Sequence, residues 1–159
     1  MMPLDTSDFR ASLSRFASGV TVLTTRTAEG QDLGMTATAF SSLSLDPPLV
    51  LVCIDRGASI MPALERVTHV AVHVLGEGQE ALSRRFALKD GDRFEGLRVT
   101  RGTGGVPLLE GALVRLECRV AERHAGGDHV IVVCEVLAAE VGRGEPLLYF
   151  RGRYGRLAP

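Results

Sequence analysis

The chain has 159 residues, 45% hydrophobic and 23% charged, with no low-complexity tract. That is enough for one domain with a real core and no disulfide staples, and it excludes a disordered or fibrous chain. Eighteen Lys and Arg against nineteen Asp and Glu leave a net charge of −1, so no bulk field draws the molecule to nucleic acid or to an anionic membrane.

The opening residues MMPLDTSDFR lack the charged-then-apolar pattern of a signal peptide, and no apolar run approaches a membrane span of about eighteen residues. The expectation is one cytoplasmic domain over residues 1–159. Phe9, Leu13, Phe16 and Ala17 fall at helical spacing after possible caps at Asp5 and Ser7, with Gly19 as a stop, so residues 8–18 read as a short helix. VTVLTT then reads as a strand, AEGQ as a turn and LGMTATAF as a second strand. SSLSLDPP reads as a loop, followed by LVLVCI as a central strand buried on both faces.

Ser59 is placed to cap a short helix, SIMPALER, with Pro62 in its first turn. VTHVAVHVL is a strand and GQEALSRRFA a helix, while ALKDGDRFEGL and RGTGGVPLLEG read as loops around a short extended piece. In ALVRLECRV, Val114, Leu116, Cys118 and Val120 alternate with Arg115, Glu117 and Arg119, the pattern of a half-buried antiparallel strand. AGGD turns the chain into its partner HVIVVCEVLAAEV, and PLLYFRGRYGRL is a last extended segment. About seven strands with three short helices, and no long strand–helix–strand alternation, make the chain mainly β, an antiparallel barrel rather than a doubly wound sheet. Cys53, Cys118 and Cys134 are odd in number and lie in apolar segments, which reads as buried free thiols.

The stretch from Gly34 to Asp55 joins small hydroxylated residues, a turn and an apolar strand. A flat aromatic ring with polar edges needs backbone N–H and C=O groups at its rim, and small side chains such as Ala37 and Ala39 admit it, while Thr36, Thr38, Ser41 and Ser42 add hydroxyls. The same residues also fit a polar strand with no ligand. Ser59 reads either as an N-cap or as a phosphate contact, and Arg84 and Arg85 as phosphate ligands or as helix-dipole partners. RGTGG lacks the third glycine and the strand-to-helix setting of a dinucleotide fingerprint. His69 and His73 share a strand face without the accompanying ligands of a zinc site, so no metal is expected. His129 follows Gly126, Gly127 and Asp128 at a turn, where its ring can overhang a cavity mouth. No GxSxG elbow supports a hydrolase.

FRASLSRFASGVTVLTT, GMTATAFSSLSLDPPLVLVCID, LSRRFA, GDHVIVVCEV and PLLYFRGRYGRL occur in this order over nearly the whole chain. Together they resemble the short-chain flavin reductases, the reductase components of two-component flavin-dependent monooxygenases. The resemblance implies the FMN-binding split barrel, an antiparallel split β-barrel with a few short helices, in a homodimer whose two chains both shape each site. It implies reduction of FMN or FAD by hydride transfer from NADH or NADPH, with reduced flavin diffusing to a partner monooxygenase and no catalytic side chain or metal. By this similarity Thr36, Ala37, Thr38, Ala39 and Ser42 would line the isoalloxazine and ribityl chain, with Cys53, Ile54 and Asp55 beside them. Ala58 and Ser59 would approach the phosphate with Arg85 and Phe86, and Phe16, Gly19, His129, Arg153 and Tyr154 would border the nicotinamide nucleotide.

Cys134 stands where the family pattern commonly has glycine, and ALKDGDRFEGL is variable territory. A flavin- or haem-binding carrier or sensor would share the barrel, but it has no need of a nicotinamide-facing histidine on the GDH turn. A pyridoxamine-phosphate oxidase-like enzyme would want clustered basic residues around a substrate phosphate, and none are clustered here.

Overall fold

A computed structural model of the chain describes residues 2–159. Helix α1 spans Thr6–Leu13, with the Asp5 carboxylate accepting the Ser7 N–H at 2.6 Å as its cap. It ends five residues before the expected boundary, and none of its side chains is buried. The strands β1 (Ser18–Gly19), β2 (Thr21–Arg26) and β3 (Asp32–Ala37) follow, the last two forming a hairpin. The expected second strand breaks at Thr38 and Ala39, and the chain resumes as β4 (Phe40–Leu45), so SSLSLDPP is a strand and a turn rather than a loop. β5 (Pro48–Asp55) is next, then helix α2 (Met61–Leu64), β6 (His69–Val74) and helix α3 (Glu80–Phe86).

The short extended piece expected between the two loops is β7 (Val99–Arg101), and it pairs with β8 (Pro107–Leu109) from the glycine-rich segment expected as a loop. The long strands β9 (Val114–Gly126) and β10 (His129–Val141) come next. The terminal segment is not one strand but a hairpin, β11 (Leu148–Phe150) and β12 (Arg153–Gly155), and β1 pairs with β11.

Seven strands form one antiparallel sheet in the order β3-β2-β6-β9-β10-β5-β4. Its two edges, β3 and β4, are consecutive in the chain with only Thr38 and Ala39 between them. Six interstrand spacings of about 4.8 Å would hold the edges of a flat sheet about 29 Å apart, whereas two linking residues reach about 11 Å. The sheet therefore rolls into a barrel whose seam is bridged by the link rather than by a β3–β4 ladder, the split barrel expected from the resemblance. β5 lies next to the seam, not at the centre, and alternates buried Val50, Val52 and Ile54 with half-buried Leu49, Leu51 and Cys53.

The faces of β2 feed two cores. Leu23 enters the barrel interior with Val52, Ile54, Val70, Val72, Val132, Cys118 and Cys134. Val20 and Val22 pack outside it with Leu75, Phe86, Leu109 and Leu147, beneath α3 and the terminal hairpin. Burial pushes the Cys118 and Cys134 thiols up to about 12 and about 11, so both are inert protonated core groups, whereas Cys53 is only half-buried.

The buried hydroxyls of β2 are satisfied by distant carbonyls: Thr21 on Ala37 at 2.6 Å, Thr24 on Pro107 at 2.6 Å and Thr25 on His69 at 2.8 Å. His73 is wholly buried; its Nε2 accepts the Leu109 N–H at 3.0 Å, so Nδ1 carries the proton and donates to the Val22 carbonyl at 3.0 Å. This neutral imidazole ties β8 to the sheet. His69 is partly exposed and shares a 2.9 Å contact with the Thr68 hydroxyl.

Desolvation lowers the His73 pKa from 6.5 to about 4. Below pH 6.5 the unfolded chain takes up a proton that the folded chain refuses, so this stabilisation is complete above 6.5 and is lost as pH falls through about 4, by on the order of 3 kcal/mol. Melting curves from pH 7.5 to 4 should show that decline, and His73→Gln should lower the melting temperature at pH 7.5 while making the acid decline shallower. An unaltered acid slope in the variant would remove His73 as its source.

Candidate functional site

The seam leaves backbone exposed where a strand ladder would have used it. The Ala37 carbonyl accepts the Thr21 hydroxyl, the Thr38 carbonyl accepts the Phe40 N–H at 3.0 Å, and the Ala39 carbonyl accepts the Cys53 N–H at 2.9 Å. Thr38 and Ala39 are exposed, and among the described residues their own N–H groups have no acceptor. Two free donors on small residues beside an open seam make a rim for the edge of a planar heterocycle. Ala37 and Ile54 are buried in the barrel core, so their backbones rather than their side chains are available to a ligand. The Thr36 hydroxyl is already spent on the Ser83 carbonyl of α3 at 2.6 Å. Ser42 on β4 is exposed, Cys53 on β5 half-buried, and Asp55 closes β5 by accepting the Gly57 N–H at 2.6 Å and, on its carbonyl, the Ala58 N–H at 3.0 Å.

Four residues back along β3, a cleft of about 540 Å³ opens between Gly34, Ser59 and the loop from Lys89 to Phe94. Arg93 forms its wall: Nη1 donates to the Gly34 carbonyl at 2.6 Å, and Nη2 donates to the Lys89 carbonyl at 3.2 Å and reaches Ser59 Oγ at 3.5 Å. Its Nε is the one buried side-chain polar atom without a partner among the described residues, a donor in want of an acceptor. Ser59 does not cap α2, whose N-cap is Ile60 with no side-chain bond, and this leaves the Ser59 hydroxyl in the cleft. Arg93 and Lys89 line the cleft with the Ser59 hydroxyl and with two carboxylates, Asp32 and Asp92, of which Asp32 is already paired with Arg26 and Arg101, so the two cations can still meet an anion there. Arg85 donates to the Glu95 carbonyl and so holds the same loop, while Phe86 is buried under Gly34 and meets Phe94 edge-on at 5.1 Å.

The residues expected to border a nicotinamide fall into two groups with no hydrogen bond between them. His129 starts β10 opposite Asp55, its Nδ1 is 2.7 Å from the Asp128 carboxylate, and its ring is partly exposed. The imidazole, as hydrogen-bond partner and neighbouring charge, holds the Asp128 carboxyl below the usual carboxylate range. Phe16 is exposed just before the small sheet, in which Gly19 pairs with Leu148 and Arg153 with Phe150. There the Tyr154 hydroxyl lies 2.7 Å from the Ser83 hydroxyl and its ring faces the Arg84 guanidinium at 4.9 Å. Arg93 and Lys89 of the cleft, and Ser83 between Thr36 and Tyr154, belong to the candidate site and were not singled out from the sequence. Arg93 acts on Gly34, 59 positions away, and KDGDRF carries no local signal of that contact.

These features define an antiparallel split barrel with unpaired backbone donors at its seam and a cleft beside it. The chain belongs to the flavin reductase like domain family, which matches residues 13–158. It is 45% identical over 150 residues to FMN reductase (NADH) SmoA of Agrobacterium fabrum, covering 94% of this chain and 85% of that one. It is 46% identical over 150 residues to the 4-hydroxyphenylacetate 3-monooxygenase reductase component of Thermus thermophilus, covering 94% and 95%. The fold superposes with a TM-score of 0.92 on the Streptomyces globisporus C-1027 NADH:FAD oxidoreductase SgcE6 in complex with NAD and FAD fragments, at 37% identity, covering 100% of this chain and 98% of that one.

Gly34 is where the cleft and the outer core meet, because a Cβ there would lie 2.7 Å from Phe86 Cε1 and 3.2 Å from the Leu23 carbonyl. Gly34→Ala must displace the Phe86 ring and should destabilise the protein by about 1–3 kcal/mol. Pairing it with Phe86→Leu should recover part of that loss in a double-mutant cycle measured by chemical denaturation. Additive losses would show that the ring does not rest on this glycine.

Proposed function

We propose that this chain is an NADH-dependent flavin reductase that binds FMN or FAD with its phosphate in the Ser59–Arg93 cleft and its ring at the Thr38–Ala39 seam. The observation that carries the reading is the pairing of the Arg93 cleft beside β3 with unused backbone donors in the link that directly follows that strand. Gly34 and Thr38 are about 13 Å apart along an extended chain, a span that a ribityl phosphate and ring can bridge. The partnerless Arg93 Nε gives the phosphate a buried donor, and Ser59 and Lys89 stand beside it, with Asp32 and Asp92 also on the cleft wall.

Bound flavin and nicotinamide supply the hydride acceptor and donor themselves. The protein's part is to hold the rings face to face and keep the acceptor's edge hydrogen-bonded. Thr38 and Ala39 N–H groups serve that edge. The Thr36–Ser83–Tyr154 chain of hydrogen bonds ties β3 through α3 to the terminal hairpin, so strand and hairpin keep a fixed spacing. His129, exposed and held only by its neighbour Asp128, has no core role to explain it, which favours a nucleotide-facing one. Reduced flavin passes by diffusion to a separate monooxygenase, as the reductase-component relatives suggest.

The active form is a homodimer. Helix α1 buries nothing within its own chain, with Phe9 and Leu13 exposed on it, and large apolar groups also stand exposed elsewhere: Phe16 beyond the helix is 83% exposed, Leu45 at the end of β4 96% and Val141 at the end of β10 76%. A second copy covers such surface most economically, and it would let the two nicotinamide-facing groups meet from different chains. No helix among the described residues is long and apolar enough to cross a membrane, and the free thiols fit a reducing cytoplasm.

Under anaerobic conditions NADH should bleach the absorbance of added FMN or FAD in the presence of the protein, and no bleaching with either flavin would refute the activity. Arg93→Met should weaken flavin binding about tenfold, the loss of a charged hydrogen bond. His129→Ala should raise the NADH KM about fivefold with flavin affinity retained. Light scattering should report twice the 17.0 kDa chain mass; a 17.0 kDa particle with full activity would refute the dimeric site.

A further inference from the structure

We propose that Arg26 and Arg101, which lie outside the Ser59–Arg93 cleft, set its affinity for a phosphate by masking the Asp32 carboxylate on its wall. The proposal rests on the flavin phosphate lying at Ser59 and Arg93. A carboxylate beside a phosphate site repels the ligand unless its charge is cancelled. Asp32 lines the cleft, and neither arginine does. Leu33 and Met35 of β3 pack against the barrel interior, so Asp32, Gly34 and Thr36 share the other face, where Phe86 rests on Gly34 and α3 takes the Thr36 hydroxyl. Gly34, whose carbonyl holds Arg93, is about 7 Å from Asp32 along that face.

The mask comes from two directions. Arg26 stands opposite Asp32 in the β2–β3 ladder, and its Nη1 donates to Asp32 Oδ1 at 2.6 Å. Arg101 arrives from β7 and grips the same carboxylate with both arms of its fork, Nη1 to Oδ1 at 2.7 Å and Nη2 to Oδ2 at 2.9 Å. Its Nη1 also donates to the Gly105 carbonyl at 3.3 Å, which fixes the guanidinium to the turn between β7 and β8. Partial burial pushes the Asp32 carboxyl up, but the hydrogen bonds from the two arginines outweigh it and hold the carboxyl below its usual range. One carboxylate against two guanidiniums leaves a single unit of positive charge on the cluster. The cleft's other carboxylate, Asp92, accepts the Phe94 N–H at 2.9 Å and is a constant background.

The separation of about 7 Å is within a Debye length of about 8 Å at physiological salt, so a change of one charge on the cluster reaches the cleft. An electrostatic mask and a mere structural clamp then differ in sign at the two ends of one ion pair. Loss of either end loosens a clamp. For a mask, removing Arg101 uncovers an anion, whereas removing the Asp32 charge frees a cation. Oxidised FMN and riboflavin, which share ring and ribityl chain and differ in the phosphate, are titrated calorimetrically into the folded variants. Arg101→Met should lower FMN affinity about threefold and Asp32→Asn should raise it about as much, the effect of one unit of charge at a partly solvated site. Riboflavin affinity should stay unchanged in both, the double variant should return FMN affinity to the wild-type value, and raised salt should shrink both shifts. Where Arg101→Met does not fold, Arg26→Met takes its place with the same expectation.

An FMN affinity unmoved by Arg101→Met overturns the proposal. So do FMN and riboflavin affinities that fall together, or an Asp32→Asn variant that loses FMN affinity as Arg101→Met does, either of which would make the cluster a clamp. Failure of the underlying phosphate assignment is read separately, as a ratio of FMN to riboflavin affinity untouched by Arg93→Met. A ratio that Arg93→Met lowers and Arg101→Met leaves alone keeps the phosphate in the cleft and refutes the mask.

Discussion

The two residues Thr38 and Ala39 must connect opposite edges of a seven-stranded sheet, and most of the molecule follows from that constraint. A link this short forces the sheet to roll, and rolling gives β2 one face inside the barrel and one outside. The inside face meets Val52, Ile54 and Val132; the outside face demands a second cover, which α3 and the terminal hairpin provide. The link itself cannot be paired by a ladder on both sides. Its carbonyls are taken by Phe40 and Cys53, its N–H groups are left over, and the proposed flavin edge would use that unpaired backbone.

The cleft that accompanies the seam is built by a chain of local compromises. Gly34 gives up its side chain so that Phe86 can lie against β3, and the Gly34 carbonyl is then used by Arg93 to bring in the loop after α3. Arg85 fastens the far end of the same loop at Glu95. Arg93 is thus both a structural strut, through Nη1 and Nη2, and a poised donor, through Nε. Cys134, standing where the family pattern commonly has glycine, points its sulfur into the barrel core with Cys118, so it fills the interior rather than narrowing the site.

The long strands were legible in the sequence because burial on one face imposes period two, plain in ALVRLECRV and still visible in VTVLTT and VTHVAVHVL. The same logic hid β4: a strand beside the open seam, exposed at Ser41, Ser42 and Leu43, has no apolar face to announce it, and its hydroxyls read as a loop. β7 was read as a short extended piece, but its partner β8 was hidden by the glycines before it, two of which, Gly104 and Gly105, adopt positive φ. For the site, small residues around positions 36–39 singled out the stretch that the structure places at the seam, since close approach to a ring needs absent side chains. They could not show that Thr36 is committed to Ser83, that Ser59 is released from capping, or that Arg93 reaches β3, because each depends on a partner far away in the chain.

The strand order also bears on how the protein is made. The hairpin β9–β10, which leaves the ribosome among the last segments, occupies the middle of the sheet between β6 and β5. Until it arrives, the earlier strands form two half-sheets whose inner edges and apolar faces are open, joined only at the seam. Neither half can close by itself, so folding must be largely post-translational and dominated by pairings distant in sequence, a slow regime. A chain that stops before that hairpin lacks the middle of the sheet and is left not with a smaller barrel but with open strand edges and apolar faces, the features that favour aggregation.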